Sequence, residues 1–451
     1  MLNYKNLTVN LFVLIIFLVS LMVSINLSNG SWAIFSFAIF ISILVIRVYR
    51  YSQPIFIMMS FFFLYVIFLI PYFYYGVNIS YYTEYNNYDM FTKTLIYHTI
   101  FIVALYIFSK KNKFDTSERI VDKLNFKNSI FAYAISIFMM VFIIVFGKTG
   151  DNILDTGGYG RSGGGGFLNL AIYEYFYIFV ITAFIYSNKN PYLLRLIGIV
   201  SSVYAFKALL YGSRIEVIQI ALLLFILFFE KKISTLRLVF YGVLGYLFFD
   251  IFGLLRQDIN SFFVNIKNYE LFQVTSDRGF VSSNQGDVFY SSAVLVSAIE
   301  YGVYDILFRI KSFLGFISQI FLPSRFTSLD AQLSVIIKNL TNTGGGGLIS
   351  IYFFSWGGLF GIVFIAKYIS FILHKLYISK NQYLLIYGIM VLTTYPRWFA
   401  YGPIALFKLS GYVIIVYFIF NTIIYAIENR MRSRSSVNQT LFIDNYKKSH
   451  Y

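Results

Sequence analysis

Cysteine is absent from the 451 residues, so the chain can form no disulfide, present no thiolate nucleophile and hold no metal through sulfur. Histidine is almost absent: His98, His374 and His450 fall in an apolar run, a basic connection and the C-terminal end. Charge is also scarce, at 12% of residues, against 58% hydrophobic residues and a mean hydropathy of +0.70. Together these values exclude an ordinary soluble protein.

What is present is a succession of long apolar runs. Runs of about 20 residues cross a bilayer core of about 30 Å as helices, which satisfy their own backbone hydrogen bonds. The expected fold is therefore all-α, a polytopic transmembrane bundle of about twelve helices, near 7–27, 32–49, 55–74, 93–108, 129–147, 168–187, 193–211, 215–230, 238–255, 348–372, 382–396 and 402–427. The first run has a single Lys before it and no small-residue cleavage site after it, so it reads as a retained helix. The formal charge of +16 does not point to nucleic acid. Its cations gather in alternate connections, at Arg47/Arg50, Lys110 to Lys127, Lys189/Arg195, Lys231/Lys232/Arg237 and Lys375/Lys380, and in the tail at Arg430/Arg432/Arg434. Such asymmetry marks these segments as cytoplasmic, with both termini on that side.

The opposite connections include one far longer than the rest, Arg256 to Gly347. The chain thus divides into a membrane domain over 1–255, a large outer loop over 256–347, a second membrane part over 348–427 and a basic cytoplasmic tail over 428–451. Within the loop, Val303, Ile306, Leu307, Ile310, Phe313, Leu314, Ile317 and Phe321 recur at helical spacing, while Asp305, Arg309, Lys311 and Gln319 lie elsewhere on the wheel. Crossing the membrane here would place two cations in hydrocarbon, at about 2.5–3.5 kcal/mol each, so 303–321 reads as a helix lying on the surface or capping the bundle.

Arginine on this outer side is the chemical signal. Arg161, Arg214, Arg256, Arg278, Arg325 and Arg397 sit where the orientation rule leaves cations rare. A guanidinium is permanently charged and offers a planar fork of donors, which suits phosphate and pyrophosphate. Arg214 and Arg256, at helix ends, and Arg278, in the Ser276–Asp277–Arg278–Gly279 turn, form the expected pyrophosphate-binding catalytic set. Arg161, Arg325 and Arg397 are expected to bind substrate, and Tyr395 to Trp398 reads as the last outer turn. The alternative is that these arginines only anchor helices at the interface. No acidic pair or His-rich spacing offers a metal site, and no cofactor is expected. Outer carboxylates remain as general bases, with Asp277 the candidate and Asp287, Glu300 and Asp330 behind it. The charges within runs, Glu174, Lys207, Glu216, Asp250, Lys367 and Lys408, should face the bundle interior or lie near an interface.

Three stretches carry a resemblance. Tyr211 to Glu216 (Tyr-Gly-Ser-Arg-Ile-Glu) opening a helix, Leu254 to Arg256 entering the loop, and Gly344 to Gly361 with its Trp-Gly-Gly-Leu-Phe-Gly return resemble the Wzy-type O-antigen polymerases. The Ser-Arg at a helix start and the large late outer loop are also similar to the O-antigen ligases. The resemblance implies glycosyl transfer at the outer face of a bacterial inner membrane. Its donor and acceptor would be undecaprenyl-pyrophosphate-linked oligosaccharides, with a chain-length regulator and a flippase as further partners and no nucleic acid. Ligases carry a functional histidine in the late loop; none stands there in this chain, which favours the polymerase and leaves the base unassigned. Two other classes stay open: a flippase or secondary transporter, whose loops are usually short, and a scaffold, which leaves the outer arginines unexplained.

Topology is directly testable. Reporter fusions at Asn284 and Asn339 should both report the outer side; a cytoplasmic signal at Asn339 alone would mean that 303–321 crosses the membrane.

Overall fold

The computed structural model describes residues 4–26, 30–75, 88–109, 118–148, 170, 172–211, 213–255, 284–323, 326–341 and 346–448. Among these the architecture is helical, with two isolated β-bridges, Asn128 to Ser187 and Gly147 to Leu170. The first half runs α1 (Tyr4–Asn26), α2 (Ser31–Val48), α3 (Gln53–Ile67), α4 (Ile70–Tyr75), α5 (Tyr88–Ser109), α6 (Ile130–Phe146), α7 (Phe176–Tyr186), α8 (Pro191–Leu210), α9 (Arg214–Leu224) and α10 (Thr235–Leu255). The second half runs α11 (Asn284–Glu300), α12 (Ile306–Phe321), α13 (Leu333–Thr341), α14 (Ile349–Ile378), α15 (Gln382–Ala400) and α16 (Ile404–Lys448).

Each of the twelve stretches read from hydropathy carries helix, and among the described residues seven helices are long and apolar enough to cross a membrane by length and composition. They are Thr8–Asn26, Ser31–Val48, Gln53–Tyr75, Asp89–Ser109, Pro191–Leu210, Ile349–Ile378 and Ile404–Ile427. The chain is thus a helical membrane protein. The apolar helices Ile130–Phe146 and Tyr173–Tyr186 stop early, and α15 carries Thr393, Thr394, Pro396 and Arg397 in its last turns.

At the centre, α5 packs along α14, and α2, α3, α11 and α15 surround that pair. His98 of α5 bonds Ser350 of α14 (Nδ1···Oγ 3.0 Å), and Tyr97 stacks on Phe354 at 4.0 Å. In contrast, α1 buries only 6% of its apolar window and lies at the periphery. The helix α11, inside the long connection, is buried against α5: Phe289 and Tyr290 meet Phe91, while Glu300 accepts from Lys93 and Tyr97, both at 2.7 Å. Burial raises the Glu300 carboxyl, but the bonds from Lys93 and Tyr97 outweigh it and hold the group below its ordinary value. Glu300 is therefore engaged by two side chains of α5. Asp330 is likewise engaged, with Lys311 at 3.2 Å on the surface.

The stretch expected at 348–372 forms a helix long and apolar enough to cross, with a break inside it. Helix α14 runs on to Ile378 but breaks at Gly358 (φ 59°, ψ −144°), in the Trp-Gly-Gly-Leu-Phe-Gly segment. That backbone conformation is essentially restricted to glycine. At Gly361 a Cβ would stand 2.1 Å from the Phe353 carbonyl oxygen, so the fold-back also requires a glycine there. The break frees carbonyls that a continuous helix would satisfy, and Arg309 of α12 fills the gap: Nε donates to Ser355 O (2.5 Å) and Nη2 to Phe354 O (3.1 Å). Trp356 Nε1 donates to Ser312 Oγ (2.7 Å) beside it.

This docking fixes which way α12 faces. Ser312, Gly315, Phe316 and Gln319 are turned to the bundle, and a Cβ at Gly315 would meet Ala331 at under 3 Å. Val303, Ile306, Leu307, Ile310, Leu314 and Phe321 are exposed. A helix with its small and polar positions on protein and its apolar stripe outward suits contact with lipid on that stripe.

Replacing Arg309 with Met should leave the Phe354 and Ser355 carbonyls short of a donor and lower stability by about 1–3 kcal/mol. An unchanged thermal midpoint in detergent would show that Arg309 does not hold the break.

Candidate active site

Three helix ends meet at one point in the fold. Glu174 lies in the turn Tyr173–Tyr175 that leads into α7, Glu216 lies in the first turn of α9, and Arg397 lies in the last turn of α15. Glu216 and Arg397 complement the partial charge of their own helix end, positive at an N-terminus and negative at a C-terminus. Arg397 Nη2 sits 2.5 Å from Glu174 Oε1, and Nη1 sits 3.2 Å from Glu216 Oε1. One guanidinium thus spreads its two terminal nitrogens over two carboxylates. Glu216 is the most enclosed of the three, with 15% of its side chain exposed, against 33% for Arg397 and 36% for Glu174.

The segment Tyr395 to Trp398 is helix, not the outer turn expected from the sequence, because α15 continues to Ala400. Pro396 is accommodated inside it, and the chain turns only after Tyr401, whose N–H, like that of Gly402, returns to the Arg397 carbonyl.

The cluster forms one wall of a cavity of about 560 Å³, within the span of about 300–1,000 Å³ usual for ligand pockets. Its aromatic lining comes from Tyr175, Phe316, Tyr352, Trp356 and Tyr401. Phe316 and Trp356 are stacked at 4.4 Å, and the Tyr352 hydroxyl donates to Tyr401 O at 3.0 Å, so these faces are held in place. The other polar groups are Ser334, Lys408, whose Nζ donates to Leu322 O (2.9 Å), and Gln319. Gln319 is 4% exposed, and its Nε2 has no hydrogen-bond partner among the described residues. An amide donor buried at a cavity wall without a protein acceptor is an open position for a ligand oxygen.

Of the residues expected to form the site, Arg397 lines the cavity with its guanidinium shared by two carboxylates. Arg214 opens α9, directly before the lining residues Ile215 and Glu216. Arg161, Arg256, Asp277, Arg278 and Arg325 lie outside the described residues. The charges expected in the interior or near an interface divide. Glu174, Glu216 and Lys408 line this one cavity. Lys207 caps the end of α6 through the Ile144 and Gly147 carbonyls, and Lys367 is exposed on α14 rather than interior. The Asp250 side chain is outside the described set. No group of three or more His, Cys, Asp or Glu side chains suited to a metal ion occurs among the described residues.

Sequence reading missed the convergence of Glu174, Glu216 and Arg397, and it missed Gln319. A weak signal was available: two acids at the starts of apolar helices require a cation, and Arg397 is one of the few charges at a comparable helix end.

The arrangement defines a helical membrane protein with a polar, aromatic-walled cavity at its helix ends, in which an ion triad is fixed by the fold. No family model, curated protein or solved structure matches the chain.

Replacing Arg397 with Met should leave two carboxylates facing each other and lower stability by about 1.5–3 kcal/mol, the range for hydrogen bonds to charged groups. Lys at this position should recover only part, because one ammonium cannot reproduce the fork. Adding Glu216→Gln to Arg397→Met should restore stability in a double-mutant cycle, since it removes the repulsion. Strict additivity in that cycle would show that the two side chains do not interact.

Proposed function

We propose that the chain is a membrane glycosyltransferase of the O-antigen polymerase kind, joining undecaprenyl-pyrophosphate-linked oligosaccharide repeat units at the outer face of a bacterial inner membrane. In this reading the chain has twelve spans, both termini are cytoplasmic and 256–347 lies outside. The observation that carries the proposal is the cavity itself. It combines carboxylates, an arginine, an amide donor without a partner among the described residues and five aromatic faces. Sugars are bound by such mixtures, because their hydroxyls both donate and accept hydrogen bonds while their C–H faces pack on rings. Orientation supports the same reading: the far ends of the helices that form the cavity carry Lys189, Arg195, Lys231, Lys232, Lys375 and Lys380, the cytoplasmic signature.

Glycosyl transfer from a lipid pyrophosphate forms a bond between an acceptor hydroxyl oxygen and the anomeric carbon, and breaks the bond from that carbon to pyrophosphate. Negative charge grows on the departing group. Fixed guanidinium groups can stabilise that charge without a metal, and Arg214, Arg256 and Arg278 are assigned this role. The runner-up, a lipid-linked oligosaccharide flippase, would use interior charges as a relay instead.

A deletion strain separates the two. Single repeat units stranded on the outer leaflet, or capped on the final acceptor without extension, are the expected products; units trapped on the inner leaflet would indicate the flippase. In the same strain, Arg214→Lys, Arg256→Lys and Arg278→Lys should complement poorly, since loss of one charge-stabilising donor in a shielded site typically costs about 10²–10³ in rate. Wild-type polymer from all three normally expressed variants would remove the pyrophosphate assignment.

A further inference from the structure

We infer that the cavity at the Arg397 triad is the acceptor-sugar site of this transfer, with Glu174 as the general base and Gln319 as the donor that orients the sugar. The inference rests on the polymerase reading and assigns chemistry to residues that the reading left without a role.

Charge selects the ligand. Among the described residues the lining contains two carboxylates, Glu174 and Glu216, and two cations, Arg397 and Lys408, whose formal charges balance. Arg397 is committed to both carboxylates, and the Lys408 ammonium donates to a backbone carbonyl. A pocket whose cations are already engaged has no surplus positive charge for a pyrophosphate, whereas a neutral polyhydroxyl ligand suits it. Gln319 adds an independent sign of a ligand. Its Nε2 is buried at the wall without a partner among the described residues, and such a donor is costly unless something accepts from it. A sugar hydroxyl or ring oxygen supplies that acceptor, while Trp356, Phe316 and Tyr401 supply apolar faces for the ring.

Of the two acids, Glu174 is the better placed to touch substrate. It is more than twice as exposed as Glu216 and lies in a turn at the cavity wall. Glu216 and Arg397 act as positioning residues: Glu216 takes one guanidinium nitrogen, so Arg397 holds Glu174 while sharing its charge. In the step, Glu174 removes the proton as the acceptor hydroxyl oxygen attacks the anomeric carbon. The electron pair of the breaking carbon–oxygen bond leaves with pyrophosphate, and the proton on Glu174 passes to water.

The test uses full-length protein in proteoliposomes, with the lipid-linked repeat units extracted from the deletion strain as substrate. Glu174→Gln should lower kcat about 10²–10⁴-fold, the usual contribution of a general base, with the apparent KM for the repeat unit changed much less. Glu174→Ala should be comparably slow and should regain activity with added formate, which a purely structural role would not produce. A wild-type kcat in Glu174→Gln, or a slow Glu174→Ala that formate does not restore, overturns the assignment of the base. Should the Glu174 variants fail to fold, Gln319→Leu decides the cavity. Removing an unpartnered buried amide should leave the thermal midpoint equal or higher while raising the apparent KM severalfold, and an unchanged KM overturns the site. Absence of polymer from the wild-type protein in this assay would instead count against the polymerase reading itself.

Discussion

Charge removed from water has to be met by charge, and at Arg397 one guanidinium meets it twice. Each terminal nitrogen takes a carboxylate from a different helix start, so α7, α9 and α15 cannot shift independently without exposing an unpaired ion. The sequence positions involved are far apart, at 174, 216 and 397, and the contact therefore ties the first half of the chain to the second. The cavity exists because these three ends are held together at a fixed separation, with α12 and α13 closing it from the side.

A second constraint acts beside it. In hydrocarbon or in a packed bundle, a helix cannot break unless the freed carbonyls find donors. The glycines of the Trp-Gly-Gly-Leu-Phe-Gly segment make the break at Gly358 sterically possible, and Arg309 makes it electrostatically acceptable. Because Arg309 belongs to α12, the break and the docking of α12 are one event. The same docking brings Phe316 and Gln319 to the cavity, so the kink in α14 and the lining of the site share a cause.

Consequently the arginines of the chain are not equivalent, although they are chemically the same group. Arg397 is spent on carboxylates and Arg309 on carbonyls, both roles in which the cation is satisfied by the protein. Arg214 stands one residue from the lining at the start of α9. A positive residue at a helix start opposes the helix dipole, a placement that costs a little stability.

Helical class and membrane embedding were legible in the sequence because they depend on local properties: long apolar runs need no partner to be helical in lipid, and their lengths alone decide which can cross. The stripe of Val303, Ile306, Leu307, Ile310 and Leu314 was readable for the same reason, since its period is written into consecutive residues. The glycines at 357, 358 and 361 do not by themselves specify a break, because a glycine permits a kink without requiring one. What only the tertiary structure decided is pairing. In the sequence Glu174 and Glu216 read only as charges within apolar runs and Arg397 as one of six candidate arginines, and Gln319 reads as one polar position on an amphipathic wheel. The partner of a buried charge, or its lack of one, is set by helices that meet in space, and nothing in the local sequence specifies which ends will meet.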